Sequence, residues 1–301
     1  MLDAIVVGGG PAGLLAALYL ARFRRSVTVV DDGRSRALRI PRSHNYPGFA
    51  DGLDGPSLIA ALHEQVARYP IARVAGEVAG IDAVDGGFDV VWTGGRVAAR
   101  GVVLATGASD VEPEMAHIAE ALRDGAVRYC PVCDGYEVID QAVGVLADGA
   151  AGVREAVYLR TFTDRLTVFA LAGADALPAA ERAELARHGI ACAEGAVESL
   201  RHWQGRVTVR HGNDETACDT LYSALGMQVR SALATALGAA CDDDGYLEVD
   251  RFQRTGIAGL YAVGDVASGL NQISVAFGAA AIAAASLHRA LAQEDDKLSR
   301  T

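Results

Sequence analysis

The chain has 301 residues, and 51% of them are hydrophobic, which is enough for two domains with separate cores and excludes a single small module. Its 27 basic and 38 acidic residues give a net charge of −11, and the lack of a basic cluster argues against nucleic acid as a partner. Five irregularly spaced cysteines differ from a secreted disulfide framework. The apolar stretch AGLLAALYLA at 12–21 follows a glycine turn and has no basic flank before it, so we predict a cytoplasmic protein without a membrane span.

The N-terminal segment has the pattern of a strand, a glycine turn, a helix and a second strand. The strands are predicted at 4–7 and 27–30. The turn fits G-x-G-x-x-G at Gly8, Gly10 and Gly13, where glycines permit a tight turn, close approach of a pyrophosphate and close helix packing. Asp31 ends the second strand, where a carboxylate holds ribose hydroxyls. The segment predicts a dinucleotide site; the alternative is a tight turn without ligand.

A pair of cysteines, Cys130 and Cys133, lies in the stretch YCPVCDGYE. A tetrahedral zinc site needs four ligands, usually as two such pairs, and no second pair accompanies this one. Burial as inert small residues fits poorly, because Pro131, Asp134 and Gly135 are turn residues. A redox pair is the third interpretation, since C-x-x-C spacing lowers the pKa of one thiol. No metal is expected.

Three further stretches carry a family resemblance. The turn at Thr106 and Gly107, the pair Gly264 and Asp265, and HNYPG at 44–48 resemble the FAD-domain signatures of the thioredoxin-reductase branch of the pyridine nucleotide-disulfide oxidoreductases. The resemblance covers nearly the whole chain and implies FAD as the cofactor. In this family the C-x-x-C-D motif is redox-active, so the resemblance favours that interpretation of the cysteine pair.

The resemblance also implies an α/β fold with two Rossmann-like domains, each doubly wound and three-layered. The FAD-binding domain is expected at 1–113 and 245–301, split by an inserted NAD(P)-binding-like domain at 114–244 that carries the cysteine pair. A homodimer is expected on the same basis. The residues implied for FAD binding are Gly8, Gly10, Pro11, Ala12, Gly13, Asp31, Arg36, Asn45, Val78, Thr106, Gly107, Gly264, Asp265, Gln272 and Ile273.

Individual roles follow from the same resemblance. Cys133 is expected to exchange electrons with the flavin, Cys130 to form the mixed disulfide with substrate, and Asp134 to move the proton. Asp134 has an alternative, compatible role as a helix N-cap. Asp265 is expected at the flavin ribitol, and the segment Gln272–Ile273 is expected to start a helix aimed at the flavin pyrimidine.

The predicted inserted domain departs from the family at its nucleotide turn. The family has G-x-G-x-x-A/G there, whereas this chain reads ADGAAG, so Ala147 replaces the first glycine and Asp148 enters the loop. A carboxylate about 4 Å from a phosphate charge is repelled by about 4 kcal/mol at an effective dielectric near 20. The next strand ends in Ala170, Leu171 and Ala172, where the family has basic residues for the 2′-phosphate. Weak or absent NADPH binding is predicted, unless Asp148 faces solvent and the backbone binds NADPH.

The electron partner is therefore open. The partner on the sulfur side is expected to be a thioredoxin-like protein or a small-molecule dithiol or disulfide, with oxygen, as in dithiol oxidases, or a ferredoxin as the electron partner. The family's dithiol oxidases usually place a histidine after the second cysteine, where this chain has Asp134, so His117 and His44 are candidate bases. A conventional NADPH-dependent thioredoxin reductase and a flavin redox sensor without turnover are the alternatives.

Overall fold

The computed structural model describes residues 1–298, which form eight α-helices and seventeen β-strands. The helices are α1 Pro11–Arg22, α2 Gly55–Val66, α3 Ile118–Arg123, α4 Pro131–Asp134, α5 Ala150–Leu159, α6 Ala179–Arg187, α7 Ala232–Thr235 and α8 Ile273–Leu298. Short 3₁₀ helices lie at Arg36–Arg39, Gly135–Val138 and Ala174–Ala176. The strands are β1 Leu2–Val7, β2 Val27–Asp31, β3 Ile71–Ala75, β4 Val78–Val84, β5 Gly87–Trp92, β6 Gly95–Leu104, β7 Ala108–Asp110, β8 Val127–Arg128, β9 Val143–Ala147, β10 Leu166–Ala170, β11 Ala191–Cys192, β12 Val197–Trp203, β13 Arg206–His211, β14 Asp214–Cys218, β15 Thr220–Ala224, β16 Met227–Val229 and β17 Leu260–Ala262.

The chain divides into two compact units. Unit 1 comprises Met1–Leu38, Gly55–Ser109 and Gln228–Thr301, and unit 2 comprises Arg39–Asp54 and Asp110–Met227. The last residues of the predicted FAD-binding range, 299–301, lie outside the described residues. These units are defined by contacts between residues, so the predicted bounds of the ligand-binding domains stay a prediction.

Unit 1 is built on a seven-stranded sheet in the order β3-β2-β1-β6-β5-β4, with β17 beside the second half of β6. The strands β3, β2, β1, β6 and β17 are parallel, and β4 and β5 form an antiparallel edge. Small buried residues join α1 and α8 in one core cluster, which includes Ala16, Ala17, Ala280 and Ala283. Alanines let the two helix backbones approach closely. A second core cluster in this unit includes Phe88 and Val90.

Unit 2 is built on a five-stranded parallel sheet in the order β11-β10-β9-β15-β8. Strands β12, β13 and β14 form a separate antiparallel sheet. Strands β9 and β15 are buried at every position, as expected for central parallel strands covered on both faces. The mostly parallel sheet of unit 1 and the parallel sheet of unit 2 confirm the predicted α/β fold class.

Helix α8 is unusually long and apolar. By length and composition alone, its residues Ile273–Asp296 are sufficient to cross a membrane, with a mean hydropathy of 1.5. One such helix is weak evidence, because the core helix of a soluble protein meets the same criteria. Its Ala284, Leu287 and Leu291 are buried in the core that α8 shares with α1.

The helix and strand bounds differ from the predicted ones by a few residues. Strand β1 starts at Leu2, two residues earlier than predicted. The extra segment is paired with β6 in the parallel sheet, where the neighbouring strand supplies hydrogen bonds that local composition does not reveal.

Candidate functional site

The first glycine turn in unit 1 is closed by backbone contacts that exclude side chains. Gly8 has a φ of +104°, and a Cβ at this position would overlap the carbonyl oxygen of Ala105. A Cβ on Gly13 would overlap the carbonyl oxygen of Gly8. Glycine is therefore required at both positions, as the fingerprint predicts for a turn that holds strand and helix in close contact.

Helix α1 presents an uncapped N-terminus at this turn. Gly10 is the N-cap and has no side-chain capping hydrogen bond, and Pro11 is the first helical residue. The free N–H groups of the first turn can therefore bind an anion such as a pyrophosphate. The N–H of Gly9 donates to Oδ1 of Asp31 at 2.8 Å, which places the predicted ribose ligand next to the turn.

A cavity of about 800 Å³ adjoins the turn. It is lined by residues that include Gly9, Asp31, Arg34, Arg73 and Glu77. This volume suits a nucleotide moiety, and Asp31 supplies the carboxylate for hydroxyl groups. Val78, one of the residues implied for FAD binding, directly follows the lining segment that ends at Glu77.

The turn formed by Gly264 and Asp265 lies close to the N-terminus of α1. Gly264 has a φ of +73°, and a Cβ there would lie 2.9 Å from the Cβ of Ala12. The next residue, Asp265, forms an ion pair with Arg36 at 3.3 Å. Contacts within unit 1 therefore connect residues that the sequence predicts from separate motifs. These residues are Gly8, Ala12, Arg36, Gly264 and Asp265.

The remaining predicted FAD residues occupy turns and a helix start. Thr106 donates through Oγ1 to the carbonyl oxygen of Arg230 at 2.7 Å, and Gly107 has a φ of +65°. Helix α8 begins at Ile273, directly after Gln272, where the helix start was predicted. Three features of this site fit FAD. Side chains would fill the glycine turn, the N-terminus of α1 is open to an anion, and the Asp31 carboxylate lies beside the cavity.

The cysteine pair lies in unit 2 and forms a disulfide. Cys130 and Cys133 are bonded, with their Cα atoms 5.3 Å apart. Cys130 has an extended backbone before the single turn of α4, and its carbonyl oxygen accepts the N–H of Cys133 at 2.9 Å. Both residues are partly exposed. A disulfide that is accessible and held in a short turn fits the redox interpretation of this motif.

Asp134 follows the pair and is held by two side chains. Its Oδ1 accepts the hydroxyl of Tyr222 at 2.7 Å, and its Oδ2 pairs with Nη1 of Arg128 at 2.8 Å. Burial raises the pKa of Asp134, and the charge of Arg128 and the Tyr222 hydrogen bond oppose that rise. Asp134 occupies the N-cap position of the 3₁₀ helix Gly135–Val138, as its alternative role predicts, but its side chain makes no capping hydrogen bond within the described residues.

The HNYPG segment lies against the cysteine turn within unit 2. Nδ1 of His44 is 2.8 Å from Oε1 of Glu137, and Nδ2 of Asn45 is 3.5 Å from the carbonyl oxygen of Val132, between the two cysteines. A Cβ on Gly52 would lie 2.8 Å from Nε2 of His44, so a glycine leaves room for the imidazole. The other candidate base, His117, is exposed at the start of α3.

Sequence reasoning missed Arg128, Tyr222 and Glu137. Tyr222 lies in the fully buried strand β15, and a tyrosine in a buried apolar run needs a partner for its hydroxyl, which is the signal that was available. Glu137 contacts His44, 93 residues away in the chain, whereas Arg128 contacts Asp134 across the cysteine turn, and no local pattern indicates either contact.

The second glycine turn, in unit 2, lacks features of the first. Ala147 is buried at the end of β9, and Asp148 after it is exposed. Gly149 has a φ of +74° with open space around its Cα. Beyond β10, Leu171 and Ala172 are exposed and carry no charge. The exposure of Asp148 agrees with the alternative that this carboxylate faces solvent.

Comparisons with known proteins agree with this geometry. The family model for pyridine nucleotide-disulphide oxidoreductases matches residues 2–280. A thioredoxin reductase from Peptoclostridium litorale is 31% identical over 307 residues, covering 94% of each chain. The crystal structure of HlmI has a TM-score of 0.90 at 31% identity, covering 99% of this chain and 95% of that one. The thioredoxin reductase from Streptococcus pyogenes MGAS5005 has a TM-score of 0.88 at 27% identity, covering 97% and 99%.

The match to the family extends over most of the chain and includes both the FAD-type turn and the cysteine pair. The predicted resemblance and the predicted cofactor are confirmed. The chain therefore belongs to the pyridine nucleotide-disulphide oxidoreductases, as an FAD-dependent, thioredoxin-reductase-like flavoprotein disulfide oxidoreductase.

Proposed function

We propose that this enzyme exchanges electrons between a dithiol or disulfide and a partner other than NADPH, with Cys130 and Cys133 as the redox pair. The observation that carries the proposal is the second glycine turn. Ala147 occupies the position of the first glycine, Asp148 adds a negative charge, and Leu171 and Ala172 stand where basic side chains are needed for a 2′-phosphate. These changes affect separate contacts with the same ligand, so their costs accumulate.

The cysteine pair and its partner react by thiol–disulfide exchange. In the reducing direction, the Cys130 thiolate attacks one sulfur of the partner disulfide, the S–S bond of the partner breaks, and the departing sulfur takes a proton. The Cys133 thiolate then attacks the Cys130 sulfur, which forms the Cys130–Cys133 disulfide and releases the second partner sulfur as a thiol. Two electrons and two protons pass from the pair to the partner, and oxidation of a dithiol is the reverse. Asp134 takes or gives the proton beside Cys133.

FAD supplies the two-electron chemistry that reduces or reoxidises the pair. We assign its binding to the glycine turn, Asp31, Arg36 and Asp265, in the predicted domain formed by 1–113 and 245–301. The inserted domain, 114–244, retains a nucleotide-domain sheet and carries the cysteine pair. This assignment is supported by the uncapped start of α1 and by the cavity beside Asp31.

The proposed sulfur partner is a thioredoxin-like protein or a small dithiol. The relatives named thioredoxin reductases support the first of these. Oxygen and a ferredoxin are the two proposed electron partners, and we propose a cytoplasmic homodimer. The formal net charge of −11 also favours a partner that does not require a basic docking surface.

The test compares electron donors in one anaerobic stopped-flow assay of the FAD-loaded protein. Bleaching of the flavin absorption is followed after mixing with stoichiometric NADPH, NADH, dithiothreitol, reduced thioredoxin or reduced ferredoxin. We expect the nicotinamides to be the slowest donors, because the second turn offers a nicotinamide nucleotide few contacts. Readmission of air then measures how fast oxygen accepts the electrons.

Each outcome selects one function. Bleaching by dithiols with fast reoxidation in air supports an oxidase, whereas efficient reduction by ferredoxin with slow reoxidation supports a ferredoxin-linked reductase. Rapid, saturable bleaching by micromolar NADPH would overturn the proposal and indicate a conventional NADPH-dependent thioredoxin reductase. If no donor reduces the flavin, the proposal also fails, and a sensor without turnover replaces it.

A further inference from the structure

Two neighbouring strands in unit 2 meet at the Asp134 side chain. Arg128 ends β8 and Tyr222 lies in the middle of β15, and the two residues are direct partners in the parallel pairing of these strands. Each donates to a different oxygen of the same carboxylate, at 2.8 Å and 2.7 Å. Asp134 is thus held by a cross-strand pair of donors whose positions are fixed by the sheet.

The same contacts close the chain around the cysteine turn. Arg128 precedes Cys130 by two residues, and Asp134 directly follows Cys133. The ion pair therefore joins the two ends of the segment that contains both sulfurs, and it does not depend on the disulfide. Reduction of the disulfide breaks no bond of this ion pair, so we expect the two thiols to stay near each other.

The charges around Asp134 determine how it affects those thiols. A lone carboxylate beside a thiol opposes formation of the thiolate, whereas a carboxylate neutralised by a guanidinium does not. Glu137 adds a further negative charge near Asp134, but it is itself hydrogen-bonded to His44. The hydroxyl of Tyr222 acts as a donor, because burial raises its pKa and the Asp134 charge raises it further.

We propose that Arg128 and Tyr222 are positioning residues of the redox pair, which hold the Asp134 carboxylate and through it set how readily the reduced cysteines ionise. Neither residue need contact substrate or flavin. The inference rests on the dithiol chemistry of the proposed function but not on the identity of the electron partner, which the stopped-flow assay tests separately.

The experiment measures ionisation of the reduced pair directly, without turnover. The protein is reduced with dithiothreitol and desalted without oxygen, and alkylation of Cys130 and Cys133 by iodoacetamide is followed against pH. Mass spectrometry of the peptide that contains both cysteines separates their signal from that of Cys192, Cys218 and Cys241. The midpoint of the rate profile reports the pKa of the more reactive thiol.

We expect Asp134→Asn to lower this midpoint by about one pH unit, because Arg128 is left as an unbalanced cation. Tyr222→Phe is expected to lower it by about half a unit, since the carboxylate loses a donor and more readily becomes neutral. Arg128→Gln is expected to raise the midpoint. Shifts of the midpoint in opposite directions for Asp134→Asn and Arg128→Gln would indicate an effect of charge. A general loosening of the turn would instead shift the midpoint in the same direction in both variants.

The double variant Asp134→Asn/Tyr222→Phe decides whether Tyr222 acts through Asp134. We expect it to match Asp134→Asn alone. If adding Tyr222→Phe to Asp134→Asn lowers the midpoint by a further half unit, the proposal is overturned. An unchanged midpoint in all three single variants would also overturn it. Tyr136→Phe is the matched control, because Tyr136 is 76% exposed beside the same turn, and no shift is expected. Urea unfolding of each variant shows that the chain is folded during the measurement.

Discussion

The two glycine turns of this protein follow parallel strands in separate units, yet they keep different parts of the nucleotide-binding pattern. Both keep the glycine that permits close packing of the helix on the strand. A Cβ on Gly13 would overlap the backbone of Gly8, and a Cβ on Gly152 would overlap the side chain of Ala147. The positive φ of the first glycine is kept only in unit 1, at Gly8.

This difference separates requirements of the fold from requirements of the ligand. A small residue in the first helical turn is needed wherever a helix lies directly on a parallel strand. The first glycine and the acid that ends the second strand are the positions that a bound dinucleotide uses: the glycine permits a turn tight enough for the pyrophosphate, and the acid binds the ribose hydroxyls. Unit 1 retains both, with Asp31 hydrogen-bonded to the turn, whereas β10 of unit 2 ends in Ala170.

The largest effect is expected for Gly8→Ala. Its φ of +104° disfavours any Cβ, and the added methyl would overlap the carbonyl oxygen of Ala105. We expect a loss of about 3 kcal/mol or more in the free energy of unfolding, with loss of bound FAD. The measurements are urea unfolding and the flavin-to-protein absorbance ratio after purification.

Gly149→Ala is the control for this change, because Gly149 has a φ of +74° but open space around it. Only backbone strain of about 1 kcal/mol is expected there, with FAD content unchanged. Full FAD content in Gly8→Ala would show that the two turns do not differ in the way described.

A second contrast concerns the helices that follow the turns. Helix α1 buries only apolar residues and glycine, whereas α5 carries Glu155, whose Oε2 is buried without a hydrogen-bond partner among residues 1–298. Burial and, to a smaller extent, the negative charge of Asp110 raise the pKa of Glu155 from an ordinary value of 4.5 to about 7, and the charge of Arg154 opposes the rise. The folded state therefore holds a proton that the unfolded state releases between about pH 4.5 and pH 7.

Stability should accordingly fall as the pH rises through this window and stay lower above it. The pKa difference corresponds to about 3 kcal/mol, and Glu155→Gln should remove this dependence and stabilise the protein at pH 8. Urea unfolding at pH 5 and pH 8 measures the effect. Glu120→Gln, on the exposed side of α3, is the control and should change neither value. Equal stability of wild type and Glu155→Gln at pH 8 would contradict the assignment.

Sequence alone predicted the N-terminal site well because its signals are local. The turn at Gly8, the acid at Asp31 and the helix start at Ile273 each depend on a few consecutive residues with a fixed spacing. The cysteine pair is equally local. The structure then connects these motifs through contacts such as the ion pair of Arg36 with Asp265.

The side chains around the cysteine pair were not predictable in the same way. Tyr222 reaches Asp134 across 88 residues of chain, and His44 reaches Glu137 across 93. Sheet pairing between β8 and β15 creates the first contact, and such pairing leaves no local pattern in a single sequence. The side chain of Asp148 is exposed, which agrees with the stated alternative that its carboxylate faces solvent.

The smallest effect is expected for Asp148→Asn, and it tests whether charge or shape separates the two turns. Because Asp148 is exposed, its repulsion of a phosphate about 4 Å away is about 1 kcal/mol in water rather than the about 4 kcal/mol of a shielded site. We expect NADPH to bind about fivefold more tightly to the variant, with the gain shrinking in high salt. The measurement is the NADPH concentration dependence of anaerobic flavin bleaching, with Asp164→Asn, an exposed acid beyond α5, as the control.

A gain in NADPH affinity near a thousandfold would mean that the Asp148 carboxylate accounts for the whole difference between the two turns. A fivefold gain would mean that most of the lost affinity comes from the shape of the turn at Ala147 and from the uncharged Leu171 and Ala172.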